Sequence, residues 1–398
     1  MHGTVPSHIA AWRVAAALAA LLALRDAGSA AAAEPKHLAP IPAATLALMA
    51  ARNTTPAAPI LIRAYKKEAE LEVWKQARDG RFVHLKTFPI CRWSGQLGPK
   101  TRQGDRQVPE GFYTIAPRQM NPNSAYYLSF DIGYPNAYDR AHGGSGAYLM
   151  VHGTCSSAGC FAMTDKAIGE IYAIAREAFA GGQPAFQFQS YPFRMTAENM
   201  ARHRSDPNIA FWRQLKEGSD RFEATREEPA VGVAAGQYVF GPATDPAREA
   251  QAKARISDEK ARIEALVRDG SAAVRTTYAD GGQHPSFAAL FRRGVSLGQV
   301  SRPEALAFAG AEVVLTPARR KRPVPVQVAS RTGATPEPKS LLQPVAWTPR
   351  KVRPNPLSEV DAAAFAPTPV SYGPTWPMSF KAAMPGSAPI LPTVLGSL

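Results

Sequence analysis

The stretch "VHGTCSSAGCFAMTD", residues 151 to 165, limits what this chain can fold into more than any other. The apolar run "AYLMV" leads into it and reads as a buried strand ending at His152. Behind it, Thr164 or Asp165 can cap a helix over "KAIGEIYAIAREAFA", where Ile168, Ile171, Tyr172 and Ala175 recur at helical spacing and Gly181-Gly182 stop the run. A strand and a helix are thus joined by a short loop that holds one histidine and two cysteines. The fold must mix both element types, and the loop must account for its cysteines.

Three chemistries suit that loop. A structural metal wants four ligands, usually with cysteines paired two to four residues apart, and a third cysteine would have to come from distant Cys91. A disulfide can join Cys155 to Cys160, or Cys91 to Cys155 with Cys160 left free. A histidine can also serve as base to a cysteine nucleophile, His152 acting on Cys160. Fully extended, the eight steps between them span about 26 Å, so the segment must double back, as Gly153, Ser156, Ser157 and Gly159 permit. Gly159 leaves room for a substrate carbonyl beside its own N–H and that of Cys160, an oxyanion hole. The dipole of the following helix would favour thiolate.

Residues 1–33 read as an export signal: Arg13, the apolar run "VAAALAALLAL" from Val14, and "AGSAAAAEP" with an A-x-A-like end near Ala33. The run is shorter than the roughly 20 residues of a membrane span, so no stable membrane insertion is expected after cleavage. The mature protein is expected in the periplasm or cell envelope. There, three cysteines cannot all pair internally, and a leftover thiol in an oxidising compartment favours a nucleophile. The net charge of +14 suits a polyanionic surrounding such as a carboxylate-rich wall polymer. No motif or basic-aromatic alternation points to nucleic acid, and none is expected as a partner.

Strand patterns cover 59–65, 69–77 and 81–90, with Asp79-Gly80 as a hairpin turn, then 112–117, 125–133, 185–193 and a pair within 230–240. Residues 94–111, rich in glycine, proline and charge, read as a long surface loop. Helix patterns lie over "AATLALMAAR", "TAENMARH" and "IAFWRQLKEGSDRF". The order is that of an α+β fold. The expected divisions are the signal (1–33), a linker (34–56), a catalytic domain (57–241), a helical, partly charged extension (242–316) whose helix "DPAREAQAKARISDEKARIEALVRDG" reads as solvated, and a proline-rich basic disordered tail (317–398).

A strand ending in "HG" followed by "S-x-G-C" resembles the L,D-transpeptidase catalytic domain, the YkuD-like fold, and the short His-to-Cys spacing with "GCFAMTD" resembles its YafK-like branch. The stretches "TFPICRWSGQLGPKTRQGDRQVPEGFY", "DKAIGEIY" and "PFRMTAENMARH…FWRQLKEGSDRFEAT" extend that resemblance over about residues 57 to 240.

The resemblance implies a β-rich domain whose cysteine attacks a stem-peptide carbonyl in peptidoglycan and forms a thioester. Position by position it makes Cys160 the nucleophile, His152 the proton acceptor and donor, Gly159 with Cys160 the oxyanion hole, and Ser157 the motif serine. An amine resolving the thioester gives a cross-link or an attached protein. Water gives hydrolysis, the L,D-endopeptidase or carboxypeptidase alternative, or release of a wall-linked protein. A third reading is a non-catalytic peptidoglycan-binding module. Two positions depart from the family: Ala158 replaces a common histidine and Ala162 a common arginine. Lys100, Arg102 and Arg106 are the expected substitutes for that arginine in binding substrate carboxylate. Expected partners are peptidoglycan stem peptides and a wall-attached outer-membrane protein or lipoprotein; no metal or other cofactor is expected.

Overall fold

The computed structural model describes residues 35–318; the expected export signal and the tail from residue 319 onward lie outside the described residues. Its α-helices are α1 (Ala43–Ala51), α2 (Ala137–Ala141), α3 (Asp165–Ala180), α4 (Ala197–Arg202), α5 (Ile209–Thr225), α6 (Pro246–Arg268) and α7 (Pro285–Arg292).

Strands β1 (Ile60–Tyr65), β2 (Glu70–Gln76) and β3 (Phe82–Pro89) form the antiparallel meander that the alternating pattern predicts. With β4 (Gly111–Ile115) and β9 (Phe186–Tyr191) they make a five-stranded sheet in the order β3-β2-β1-β9-β4, where β1 and β9 run parallel. Central β1 is buried throughout because both its faces are covered. Ile60, Ile62 and Ala64 enter the main core, while Leu61 joins Trp74, Phe82 and Phe222 on the other side. There Arg63 lies under α5, donating to Ser219 Oγ at 2.9 Å and pairing with Glu223 at 2.5 Å.

A second sheet runs β5 (Met120–Asn121), β6 (Ser129–Asp131), β7 (Met150–His152), β8 (Phe161–Ala162), with β7 and β8 parallel. Helix α3 touches β1 of the first sheet and β6 and β7 of the second. Its Ile168, Ile171, Ile174, Ala175 and Ala178 are buried at the expected helical spacing, each isoleucine contributing roughly 1.5–3 kcal/mol by leaving water. Thr164 caps it, accepting from the Ala167 N–H at 3.2 Å. The strand read over 125–133 shrinks to three residues, since a 3-10 turn (Pro117–Gln119) and an irregular segment precede it.

Two expectations need correction. Residues 94–111 are no surface loop: Ser94, Leu97, Lys100, Gln107, Val108 and Glu110 are buried, and only 101–104 are fully at the surface. The cause is a fully buried ion pair, Lys66 Nζ to Glu110 Oε1 at 2.8 Å. Lys66 also donates to the Gly98 and Val108 carbonyls, while Glu110 accepts from the Gly98 N–H and Trp212 Nε1. The extension is likewise not simply helical, nor its long helix merely solvated. α6 packs on α4 and α5 through buried Ala252 and the pairs Lys216–Glu259 (2.8 Å) and Arg221–Glu249 (3.1 Å). Beyond it, β12 (Ala273–Thr277) and β13 (Ala311–Thr316) form a hairpin enclosing α7 and a 3-10 turn (Pro303–Phe308).

Candidate active site

The register of the second sheet assembles the site. Asp131 opposes Met150 and Ser129 opposes His152, while His152 pairs with Ala162. One step back along the β8 register, Cys160 falls beside Met150, and the Met150 N–H donates to its Sγ at 3.4 Å. Since side chains alternate across a sheet, His152, Cys160 and Asp131 share one face. Phe130, Val151 and Phe161 point the other way, into the core. His152 and Cys160 are thus diagonal neighbours, one pairing apart. The segment doubles back as the motif requires.

His152 is almost wholly buried. Its Nδ1 meets the Gly153 carbonyl at 2.5 Å; a carbonyl only accepts, so Nδ1 carries the hydrogen and Nε2 keeps the lone pair. This backbone contact sets the imidazole's tautomer. Tyr126 lies against the ring, centroids 4.7 Å apart. Burial pushes the His152 pKa down against the opposing effects of the Gly153 bond and Asp165. Burial likewise pushes the Cys160 thiol up; the Met150 N–H and Lys100 pull it down, while Asp131 adds to the rise. The resting pair is therefore neutral thiol and neutral imidazole at pH 7. The thiolate expected from the helix dipole is not the resting state: burial dominates at the sulfur, and Asp165 already occupies the first turn of α3.

The loop between them is pinned along its length. Cys91 and Cys155 form a disulfide, leaving Cys160 as the free cysteine. The disulfide lies among Phe287, Leu290 and Leu297 in and after α7. The Thr154 N–H donates to Asp165 at 2.9 Å. Gly159 has φ +129°, and an added Cβ would press on Leu149 at 3.1 Å, so only glycine fits comfortably. Ser157 Oγ donates to the Cys160 carbonyl at 2.7 Å and accepts from the Cys160 and Gly159 N–H groups at 3.2 and 3.4 Å. The two amides expected to form an oxyanion hole are therefore turned onto the Ser157 hydroxyl, through long bonds that a substrate oxygen would have to replace.

The three loop cations separate. Lys100 is bound to Asp105 and the Arg102 carbonyl. Arg106 pairs with Asp280 at 2.7 Å and donates to the Ser157 carbonyl at 3.0 Å. Both have internal partners, which corrects the expectation that they hold substrate carboxylate; Arg102 alone of the three is exposed. Ala158 is exposed, and fully buried Ala162 pairs through its backbone with Arg92, whose guanidinium turns toward the extension. Sequence reading missed Tyr126, Asp131, Ser94, Asp280 and Ser301. Each reaches the site through strand register or long-range packing, with no local signal in the chain. Cys155 lies in the disulfide, which removes it from any metal set. Among the described residues no group of three or more His, Cys, Asp or Glu is placed to hold a metal ion.

These features accord with known proteins. A family model for the L,D-transpeptidase catalytic domain, YkuD, matches residues 62–180. YafK of Escherichia coli K12, assigned as an L,D-transpeptidase, is 48% identical over 181 residues, which is 46% of this chain and 73% of YafK. YafK of strain O157:H7 matches equally. The chain belongs to the L,D-transpeptidase catalytic domain family. Among solved structures, the helical cell shape determining protein Pgp2 of Campylobacter jejuni aligns at 14% identity over 58% of this chain and 80% of its own, with a TM-score of 0.27; a likeness that low carries no argument.

Proposed function

We propose that this protein is an exported cysteine acyltransferase acting on peptidoglycan stem peptides, in cell-wall cross-linking or protein attachment. The observation that carries the reading is the free Cys160 on the same sheet face as His152, whose Nε2 lone pair is left available by the Nδ1 bond to Gly153. His152 Nε2 takes the Sγ proton as the sulfur attacks the stem-peptide carbonyl. The imidazolium then gives that proton to the departing amine, leaving a thioester. An incoming amine, deprotonated by the same nitrogen, attacks the thioester and restores the thiol. The Cys160 and Gly159 amides stabilise the oxyanion once Ser157 Oγ yields them, and exposed Arg102 is the loop cation available to a substrate carboxylate.

The test incubates the pure protein with tetrapeptide muropeptides plus an amine acceptor, and separately with protein-linked muropeptides, reading products by mass. Cross-linked or acceptor-bearing products, absent with Cys160→Ala, support acyl transfer. Shortened stems or released protein would move the assignment to hydrolysis by the same pair, and activity surviving Cys160→Ala would refute the nucleophile.

A further inference from the structure

The family match ends at residue 180, yet the best-connected group around the nucleophile comes from beyond residue 277. Ser301 Oγ accepts from the Ser157 N–H at 2.9 Å and donates to the Ser157 carbonyl at 3.0 Å, so one hydroxyl holds both backbone polar groups of a single residue. Arg106 donates to the same carbonyl while bound to Asp280. Asp280 also accepts from the Gly95 N–H at 3.1 Å, and Arg92 donates to the Ser301 and Asp280 carbonyls at 3.0 and 2.5 Å. Tyr278 packs edge-on against buried Trp93, and the Trp93–Gly282 bridge ties the backbones together. Farther along, Phe287 and Leu290 cover the disulfide that anchors Cys155.

The connection to chemistry runs through Ser157. Its backbone is fixed by Ser301 and Arg106, and its hydroxyl bonds the carbonyl and N–H of Cys160. Every link from the extension to the nucleophile is thus a hydrogen bond or ion pair on the page, with no gap.

We propose that residues 278–302 form a strap that completes the active site, with Ser301 and Asp280 as positioning residues that hold the Ser157–Cys160 turn against His152. The proposal rests on the reading of Cys160 as nucleophile, but not on the identity of its substrate. A second outcome of the same geometry is that the domain matched by the family model is not the whole catalytic unit of this chain.

The experiment uses the full chain and two readouts. The first is the pH profile of Cys160 alkylation by iodoacetamide, followed by mass, which needs no substrate. Lys100, Asp131 and His152 are the charged and titratable groups facing that sulfur, and none is altered. For Ser301→Ala and Asp280→Asn, a loosened turn wets the sulfur, so the alkylation midpoint moves to lower pH and the rate at neutral pH rises several-fold. Ser301→Thr, which keeps the hydroxyl, restores the parent profile. The second readout is acyl transfer, expected to fall on the order of ten- to a hundredfold in kcat through misplacement of the sulfur. Parent-like alkylation profiles in both Ser301→Ala and Asp280→Asn would overturn the strap, whatever their melting temperatures. If the parent chain transfers no acyl group, the functional proposal fails while the alkylation readout still decides this one.

Discussion

Burial acts on His152 and Cys160 in opposite chemical senses, favouring the uncharged form of each. Attack therefore begins from a neutral pair, and the proton moves only as the carbonyl arrives. Because its pKa is lowered, His152 stays an unprotonated base further into acid than an ordinary histidine. The acid limb of kcat/KM is expected below about pH 6.5, the usual histidine value, and a pH–rate profile checks it; a limb above that value contradicts the burial argument. His152→Ala should cost about 10²–10⁴-fold in acyl transfer, with the melting temperature as the control for folding. At this scale the sequence was informative where chemistry is local. His152, Ser157, Gly159 and Cys160 lie within nine positions and could be read together. Tyr126 and Asp131 could not, because the β6–β7 register that sets Asp131 opposite Met150 is decided by packing. The opposite error befell Lys100 and Arg106: positive charge was legible, but the carboxylates that occupy it were not.

Among elements, the segment from Ser94 to Glu110 owes its shape to a charge pair that no periodicity reveals. Lys66 and Glu110 are both wholly buried, and a charge left without its partner there is strongly unfavourable. Glu110→Ala should destabilise the fold by about 3–5 kcal/mol, measured by denaturant unfolding, and hydrogen exchange should quicken over residues 94–108. A cost near zero would mean water reaches Lys66. Elements with strong periodicity, such as β1, β2, β3 and α3, lie where their patterns predict, because apolar spacing alone selects the buried face. Residues 94–111 were misread since glycine, proline and charge describe a solvated loop equally well until the distant lysine is placed. The α6 helix was misread for a related reason: its few apolar residues conceal that Lys216 and Arg221 of α5 supply partners for its glutamates.

At the scale of the molecule, the chain joins a matched domain to a hairpin-bearing extension and fastens them beside the nucleophile. The Cys91–Cys155 bond spans 64 residues, a loop whose closure entropy corresponds to about 4 kcal/mol in the chain-entropy account. Thermal unfolding with and without reductant should show a loss of that order, as should Cys91→Ser; equal melting curves would contradict it. The same bond also determines what happens when the envelope becomes oxidising. A cysteine five residues from the nucleophile would be the nearest thiol for an oxidised Cys160 to condense with. Because Cys155 is already bonded to Cys91, an oxidised Cys160 has no such neighbour and stays open to rescue by small external thiols. The disulfide thereby keeps the chain from inactivating its own working sulfur.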